Sequence, residues 1–207
     1  MIKCSHNPLI VGFFDWYLTK ILKSDFHKIR YDENFKFDPN KSVLFIGNHF
    51  SWWDGFFTYY LKIKLFKKDF NVMMLEEELE KRKLFSYAGV YSVKRKSDSV
   101  KESLDYTCEL LDNPKNLVLM FPQGKIESFH IQKMQFEKGL TYILENAKNF
   151  QLVYSCVLTD YFSRRKPVAD IYLKQIPLDK NYSVEELEEL YNQHYGESKN
   201  KQMSKTY

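Results

Sequence analysis

Three features of the sequence predict an α/β fold with a central sheet flanked by helices. Short apolar runs typical of strands alternate with helical patterns along most of the chain. A length of 207 residues suits one domain, and 44% hydrophobic residues are ample for a full core. Because strands joined by helices usually pair in parallel, we expect a single domain whose central sheet is largely parallel or mixed.

The first element is an amphipathic helix at residues 8–23, with proline at its first position and apolar side chains at helical spacing. Its density of Phe, Trp and Tyr, followed by lysines, is typical of a helix that lies in a membrane interface. Packing on the core is the alternative. We expect membrane contact through Phe13, Phe14, Trp16 and Lys20.

The remaining elements follow from apolar runs and from helical periodicity. Strands are predicted at residues 43–47, 70–75, 91–93, 117–121, 152–158 and 168–176. Helices are predicted at residues 55–65, 76–87, 99–112, 134–147 and 183–194. The polar stretch 196–207 lacks a period and is expected to be a mobile tail. The chain therefore divides into an N-terminal helix (1–24), a domain (25–195) and a tail (196–207).

Composition and charge exclude several classes of function. The net charge of +4 gives no basis for nucleic-acid binding. Three scattered cysteines form neither a disulfide pattern nor a zinc motif, so we expect no metal and a reducing, cytoplasmic setting. Neither a transmembrane span nor a signal peptide is predicted.

The basic cluster Arg164-Arg165-Lys166 suits an anionic lipid surface, with a solvated face as the alternative.

The segment with the clearest chemistry follows the strand at 43–47. It places His49 five positions before Asp54, where the strand ends and a helix begins. An imidazole held by a carboxylate is a general base, and a strand end lets it reach a substrate. A histidine that caps the helix is the structural alternative. The same spacing at His27 and Asp32 follows no apolar strand, and we interpret that pair as solvated surface.

Two further segments carry residues that suit an anionic ligand. Residues 119–128 end another apolar strand, where Gly124 lets backbone N–H groups approach an anion or a developing oxyanion. At residues 89–95, a glycine turn and a short strand lead to Lys94 and Arg95, whose cations can clamp a phosphate. Either segment alone would be an ordinary turn.

Taken in their order along the chain, the three segments resemble the glycerolipid acyltransferase family, which contains the lysophosphatidic acid acyltransferases. The Asn-His-x-x-x-x-Asp site of that family is matched by Asn48, His49 and Asp54. Its Gly-x-x-x-[Ile/Val]-x-Arg site is matched by Gly89, Val93 and Arg95, and its Phe-Pro-Glu-Gly site in part by Phe121, Pro122 and Gly124. The resemblance spans roughly residues 40–160, most of the predicted domain.

The chain departs from the family pattern at three places. Gln123 stands where glutamate is usual, and Ile126 where an arginine that helps hold glycerol phosphate is frequent. Residues 152–158 also lack the proline of a fourth family site. Loss of the arginine removes a bidentate phosphate fork. The expected acceptor is therefore widened to another lyso-lipid, an amino-acid-headed lipid or a lipid glycoside.

The resemblance implies transfer of a fatty acyl group from a thioester to an acceptor hydroxyl. The thioester, on coenzyme A or acyl carrier protein, is a co-substrate and not a bound cofactor. His49 would be the general base, Asp54 would hold it, and backbone amides near Gly124 would stabilise the oxyanion. The implied substrate-binding residues are Lys94, Arg95, Gln123, Gly124 and Lys125.

The expected partners are a lipid substrate, acyl carrier protein as one possible donor, and the inner face of a membrane, to which the protein binds peripherally. Two other functions stay open: a thioester or lipid hydrolase, and a lipid-surface binding protein without catalysis. No G-x-S-x-G nucleophile motif occurs, which argues against a covalent hydrolase.

Overall fold

The apolar runs form a mixed seven-stranded sheet with six flanking helices in a computed structural model that describes residues 1–94 and 99–206. The strands are β1 (Lys28–Arg30), β2 (Ser42–Gly47), β3 (Asp69–Leu75), β4 (Val90–Val93), β5 (Asn116–Met120), β6 (Phe150–Asp160) and β7 (Val168–Ile176). The helices are α1 (Pro8–Asp25), α2 (Asp54–Leu61), α3 (Glu76–Lys81), α4 (Ser99–Leu111), α5 (Gly139–Asn146) and α6 (Val184–Met203). The predicted α/β class and the mixed sheet are thus confirmed.

The strands lie in the order β1-β7-β6-β2-β5-β3-β4. The five strands from β6 to β4 run parallel, whereas β7 returns antiparallel to β6 and β1 pairs with β7. The carboxyl ends of the five parallel strands therefore share one edge of the sheet. This is the edge where loops of α/β proteins collect functional residues.

Helices cover both faces of the sheet because side chains of each strand alternate between the faces. On β2, Leu44 and Ile46 join a core with α4, α5 and α6. Val43 and Phe45 join a second core with α1 and α2 on the other face. All six residues of β2 are buried, so the loop that follows it starts from a fixed point.

The predicted helix at 134–147 is wrong in its first part, because α5 begins only at Gly139. The backbone N–H of Met134 donates instead to the side chain of Asn192 on α6, and that of Phe136 to the side chain of Glu188 on the same helix. Both distances are 2.8 Å. These long-range bonds hold residues 134–136 against α6 and satisfy their backbone N–H groups outside a helix.

Two other segments also differ from the predicted pattern. The predicted helix at 76–87 is interrupted at Arg82, after which Lys83–Tyr87 forms a 3-10 turn. Helix α6 runs on to Met203, through much of the stretch that was expected to be a tail. Its polar residue Gln202 is buried and donates to Asp160 of β6 over 2.6 Å. Bonds of this kind let a polar sequence pack on the sheet.

Candidate active site

The Asn48 side chain fixes the position of the backbone just after β2, because it hydrogen-bonds to the backbone of the neighbouring strand β6. The amide of Asn48 accepts a hydrogen bond from the Val157 N–H of β6 (2.7 Å) and donates to the Val157 carbonyl (3.3 Å). Asn48 is buried, so these bonds face little competition from water. The neighbouring His49 is therefore presented at the carboxyl edge of the sheet.

His49 and Asp54 come together as the sequence predicted. Nδ1 of His49 lies 3.3 Å from Oδ2 of Asp54. Asp54 is only 3% exposed, and the same Oδ2 accepts hydrogen bonds from the N–H groups of Phe50 (2.6 Å) and Ser51 (2.7 Å). With Nδ1 facing the carboxylate, Nε2 is the nitrogen left for a substrate. That nitrogen has no hydrogen-bond partner among the described residues.

The structural alternative, a histidine that caps the following helix, does not describe this geometry. The Trp53 N–H at the start of α2 donates to the Ser51 hydroxyl (3.2 Å) and not to the imidazole. The pair His27 and Asp32 is also as expected, since both residues are exposed. Asp32 instead accepts from the Asn34 N–H over 2.9 Å.

Phe121 holds the plane of the imidazole. Its ring stacks on that of His49 with centroids 4.1 Å apart and an angle of 8° between the planes. The two residues meet because β2 and β5 are parallel neighbours, with Ile46 opposite Met120. A Cβ on Gly47 would lie 3.3 Å from the Phe121 ring, so glycine leaves room for this stack. No pattern in the sequence predicts this stacking, although Phe121 belongs to the matched motif.

The turn after β5 also contacts the backbone of His49. The His49 N–H donates to Oε1 of Gln123 (2.6 Å), whose Nε2 donates to Oε2 of Glu127 (2.6 Å). The Glu127 N–H in turn donates to the His49 carbonyl (2.9 Å). The hydrogen bond from Gln123 lowers the pKa of Glu127, with a smaller contribution from Lys125. Glu127 is a site residue that the sequence analysis missed.

Gly124 has the left-handed conformation expected of a tight turn, with φ of 65°. Its N–H donates to the Phe121 carbonyl over 3.1 Å. The Gly124 amide itself is therefore occupied within the turn, whereas the expectation concerned the backbone amides near Gly124. An oxyanion donor would have to be another amide of this turn.

The predicted substrate-binding cations are distributed unevenly. Lys125 lies beside the site and pairs with Glu127 over 3.2 Å. Lys94 follows the last residue of β4, three strands from β2, which corresponds to about 14 Å at the usual strand spacing. It pairs with Glu76 over 3.0 Å, and that hydrogen bond raises the pKa of Lys94. Arg95 lies outside the described residues. Ile126 is exposed at the site and brings no charge.

The three cysteine thiols are not placed as nucleophiles. Burial raises the pKa of Cys156 to about 12 and that of Cys108 to about 11. Burial also raises the pKa of Cys4. Each is therefore a neutral thiol at physiological pH. Within residues 1–94 and 99–206, no three His, Cys, Asp or Glu side chains converge as metal ligands would.

The arrangement is an imidazole at a strand end, held by a buried carboxylate, a stacked ring and a neighbouring turn. A family model described as Acyltransferase matches residues 28–159, which include all of these groups. The chain belongs to the Acyltransferase family. This is the family of glycerolipid acyltransferases such as lysophosphatidic acid acyltransferase, so the resemblance seen in the sequence is confirmed.

The matched span of this acyltransferase begins at β1 and ends within β6, so α1 precedes it and α6 follows it. No curated protein matches the chain. In the part of the acyltransferase that the structure describes, no helix has both the length and the hydropathy of a membrane span.

Proposed function

We propose that this acyltransferase moves a fatty acyl group from an acyl thioester, on coenzyme A or acyl carrier protein, to a hydroxyl of a lyso-lipid or related lipid. The observation that supports this most is the His49 geometry. Nδ1 faces the buried Asp54 carboxylate, and Nε2 is left without a partner among the described residues. A base held in this way is what attack by a substrate hydroxyl requires.

In the proposed reaction, Nε2 of His49 takes the proton of the acceptor hydroxyl while its oxygen attacks the thioester carbonyl. The tetrahedral intermediate then collapses, the C–S bond breaks, and the imidazolium returns its proton to the thiolate. Asp54 keeps the proton of the neutral imidazole on Nδ1 and stabilises the imidazolium that forms. No acyl-enzyme is required, which agrees with the high pKa of the buried thiols.

The acceptor that we propose is a lyso-lipid or related lipid other than lysophosphatidic acid. Its class follows from the neutral residues Gln123 and Ile126 at positions where the family motif carries charges. The cation closest in the motif, Lys125, is already paired with Glu127 over 3.2 Å. An acceptor whose headgroup does not depend on a bare phosphate fits this environment better. Amino-acid-headed lipids and lipid glycosides are the acceptors to test first.

The direct test is thiol release by the purified protein from acyl-CoA and from acyl carrier protein, with a panel of lyso-lipids. Release should accelerate when the right acceptor is added, and mass spectrometry should detect the acylated product. Replacement of His49 by Ala should lower turnover by about 10²- to 10⁴-fold, the usual contribution of a general base. His27→Ala is the matched control, because His27 is exposed and also precedes an aspartate by five residues.

Thiol release that no acceptor accelerates would favour a hydrolase over a transferase. Silence with every donor and acceptor would favour a protein that only binds lipid surfaces. Either result would contradict the proposed reaction.

We also propose that the protein binds peripherally to the cytoplasmic face of a membrane through α1. Leu9 is 85% exposed, Phe13 55% and Trp16 58%, and they follow one another at helical spacing along a single face. Lys20 lies over the Trp16 ring on that face, at 5.0 Å. Exposed aromatic residues beside lysines are typical of helices that bind anionic interfaces.

Phe14, which was expected on the membrane face, packs inward against Phe85 at 5.6 Å. Helix α1 is tied to the body by an ion pair between Asp15 and Lys62 over 2.8 Å. Its carboxyl end contacts the start of α2, where Phe26 lies 5.2 Å from Trp53. Helix α1, which carries the exposed face, thus packs against the helix that follows the His49 loop.

Co-sedimentation with vesicles that contain anionic phospholipid tests this surface. The double variant Phe13→Ser, Trp16→Ser should bind at least tenfold more weakly, because burying each aromatic side chain is worth about 1.5–3 kcal/mol. Met203→Ser is the control, since Met203 is also exposed, at 74%, but belongs to α6, which packs on the opposite face of the sheet from α1. Equal binding by both variants would contradict the proposed membrane surface.

A further inference from the structure

Gln123 and Glu127 close a ring of hydrogen bonds around the peptide groups of His49. The ring runs from the His49 N–H to Oε1 of Gln123, from Nε2 of Gln123 to Oε2 of Glu127, and from the Glu127 N–H to the His49 carbonyl. The three distances are 2.6, 2.6 and 2.9 Å. The ring fixes the backbone position from which the imidazole extends.

When Glu127 is ionised, this ring needs a side chain at position 123 that both accepts and donates, and a carboxamide does so at every pH. The His49 N–H can only donate, and an ionised carboxylate can only accept. The side chain between them must therefore accept at one end and donate at the other, and these partners fix which end of the Gln123 amide is oxygen. Gln123 is 4% exposed, so water is a poor substitute for either contact.

We propose that Gln123 and Glu127 are a pair of positioning residues for His49, in which the amide is required at 123 because the carboxylate stands at 127. This inference rests on the proposed role of His49 as the base. It also accounts for the departure from the family motif, which carries glutamate at position 123. In this chain the carboxylate lies four residues later and reaches the His49 backbone through the amide.

A glutamate at position 123 would face Glu127 with carboxylate oxygens where Nε2 and Oε2 now lie 2.6 Å apart. Two carboxylates at that distance hold one proton between them, and they lose it as the pH rises. At low pH the protonated pair can still donate and accept and so closes the ring. Lys125 pairs with the other oxygen of Glu127 over a distance of 3.2 Å and offsets part of the repulsion between the two carboxylates. At high pH the two charges still repel each other, and the ring opens.

The experiment compares wild type with Q123E, E127Q and the double variant Q123E/E127Q in acyl transfer between pH 5.5 and 8.5. Q123E should lose about 10- to 100-fold in kcat above pH 7, with KM little changed, because the base is displaced. The loss should shrink toward pH 5.5. E127Q should lose less kcat than Q123E above pH 7, since its amide oxygen still accepts from Gln123.

The double variant is the decisive member of the set. Its glutamate at 123 accepts from the His49 N–H, and its glutamine at 127 donates back, so the ring closes with the two groups exchanged. We expect its kcat to return to within about threefold of wild type at every pH, as for a conserved set of hydrogen bonds. A double variant no more active than Q123E would overturn the proposal, as would a Q123E loss that is the same at every pH.

A readout without turnover separates this proposal from the proposed function. The ring ¹³Cε1–¹H resonance of His49, assigned with His49→Ala, should move in Q123E at pH 8 and return in the double variant. If wild type transferred no acyl group, this movement and its reversal would still support the ring. A resonance that does not move in Q123E would overturn the ring whatever the activity.

Discussion

Replacing Asp54 by Asn and by Ala separates its structural task from its electrostatic one. The carboxylate accepts from the buried Phe50 N–H (2.6 Å) and from the Ser51 N–H (2.7 Å), and it also faces His49 (3.3 Å). Hydrogen bonds to a charged acceptor are worth about 1.5–3 kcal/mol each, against about 0.5–1.5 kcal/mol for neutral ones. Asp54→Ala removes both charged bonds and should lower the free energy of unfolding by about 4 kcal/mol.

Asp54→Asn should behave differently. Its amide oxygen can accept the same two backbone N–H groups, and its NH₂ can face the Ser51 hydroxyl, which now donates to Oδ1 over 3.1 Å. The loss of unfolding free energy should therefore be about 2 kcal/mol, the difference between two charged and two neutral bonds. The imidazolium loses its stabilising charge, so kcat should fall by about 10²- to 10⁴-fold.

Urea unfolding followed by tryptophan fluorescence measures the first quantity, since Trp52 and Trp53 adjoin the loop. Thiol release with a responsive acceptor measures the second. Unfolding of Asp54→Asn as easily as Asp54→Ala would contradict the assigned hydrogen bonds of the carboxylate. A kcat of Asp54→Asn within threefold of wild type would contradict its electrostatic task.

Two further predictions concern stability. Burial lowers the pKa of His194 to about 4, against about 6.5 when unfolded, so only the unfolded chain binds this proton between those values. The unfolding free energy should fall by about 3 kcal/mol from pH 6.5 to pH 4, and His194→Gln should remove that part of the slope in urea titrations. Gly89→Ala should destabilise by about 3 kcal/mol or more, because φ is 95° and the new Cβ would lie 1.8 Å from the Phe70 carbonyl oxygen. In thermal unfolding the matched Gly12→Ala, which has open space around it, should instead stabilise α1 by up to about 1 kcal/mol.

The parts of the fold that the sequence predicted are those that local patterns encode. β2 and β5 are apolar runs that end at glycine or proline, and both were placed within a residue or two. Strand β1 was missed because it is short and polar. Its stability comes from pairing with β7 and from the bidentate bonds of Arg30 to Asp170, both 2.6 Å. A partner 140 residues away leaves no local trace in the sequence.

The same distinction applies to the site. His49 and Asp54 lie five residues apart in one loop, so their spacing alone could indicate that they meet. Phe121 and Glu127 reach His49 only because β2 and β5 are neighbours in the sheet. Their contacts depend on strand order and on one turn, and neither follows from the residue types alone.

The sharpest test of the proposed role of His49 is acyl transfer by His49→Ala beside His27→Ala, with folding checked by circular dichroism. We predict that His49→Ala is folded and loses at least about 10²-fold in turnover, while His27→Ala matches wild type. A folded His49→Ala protein that transfers acyl groups at nearly the wild-type rate would contradict the role of His49 as the base.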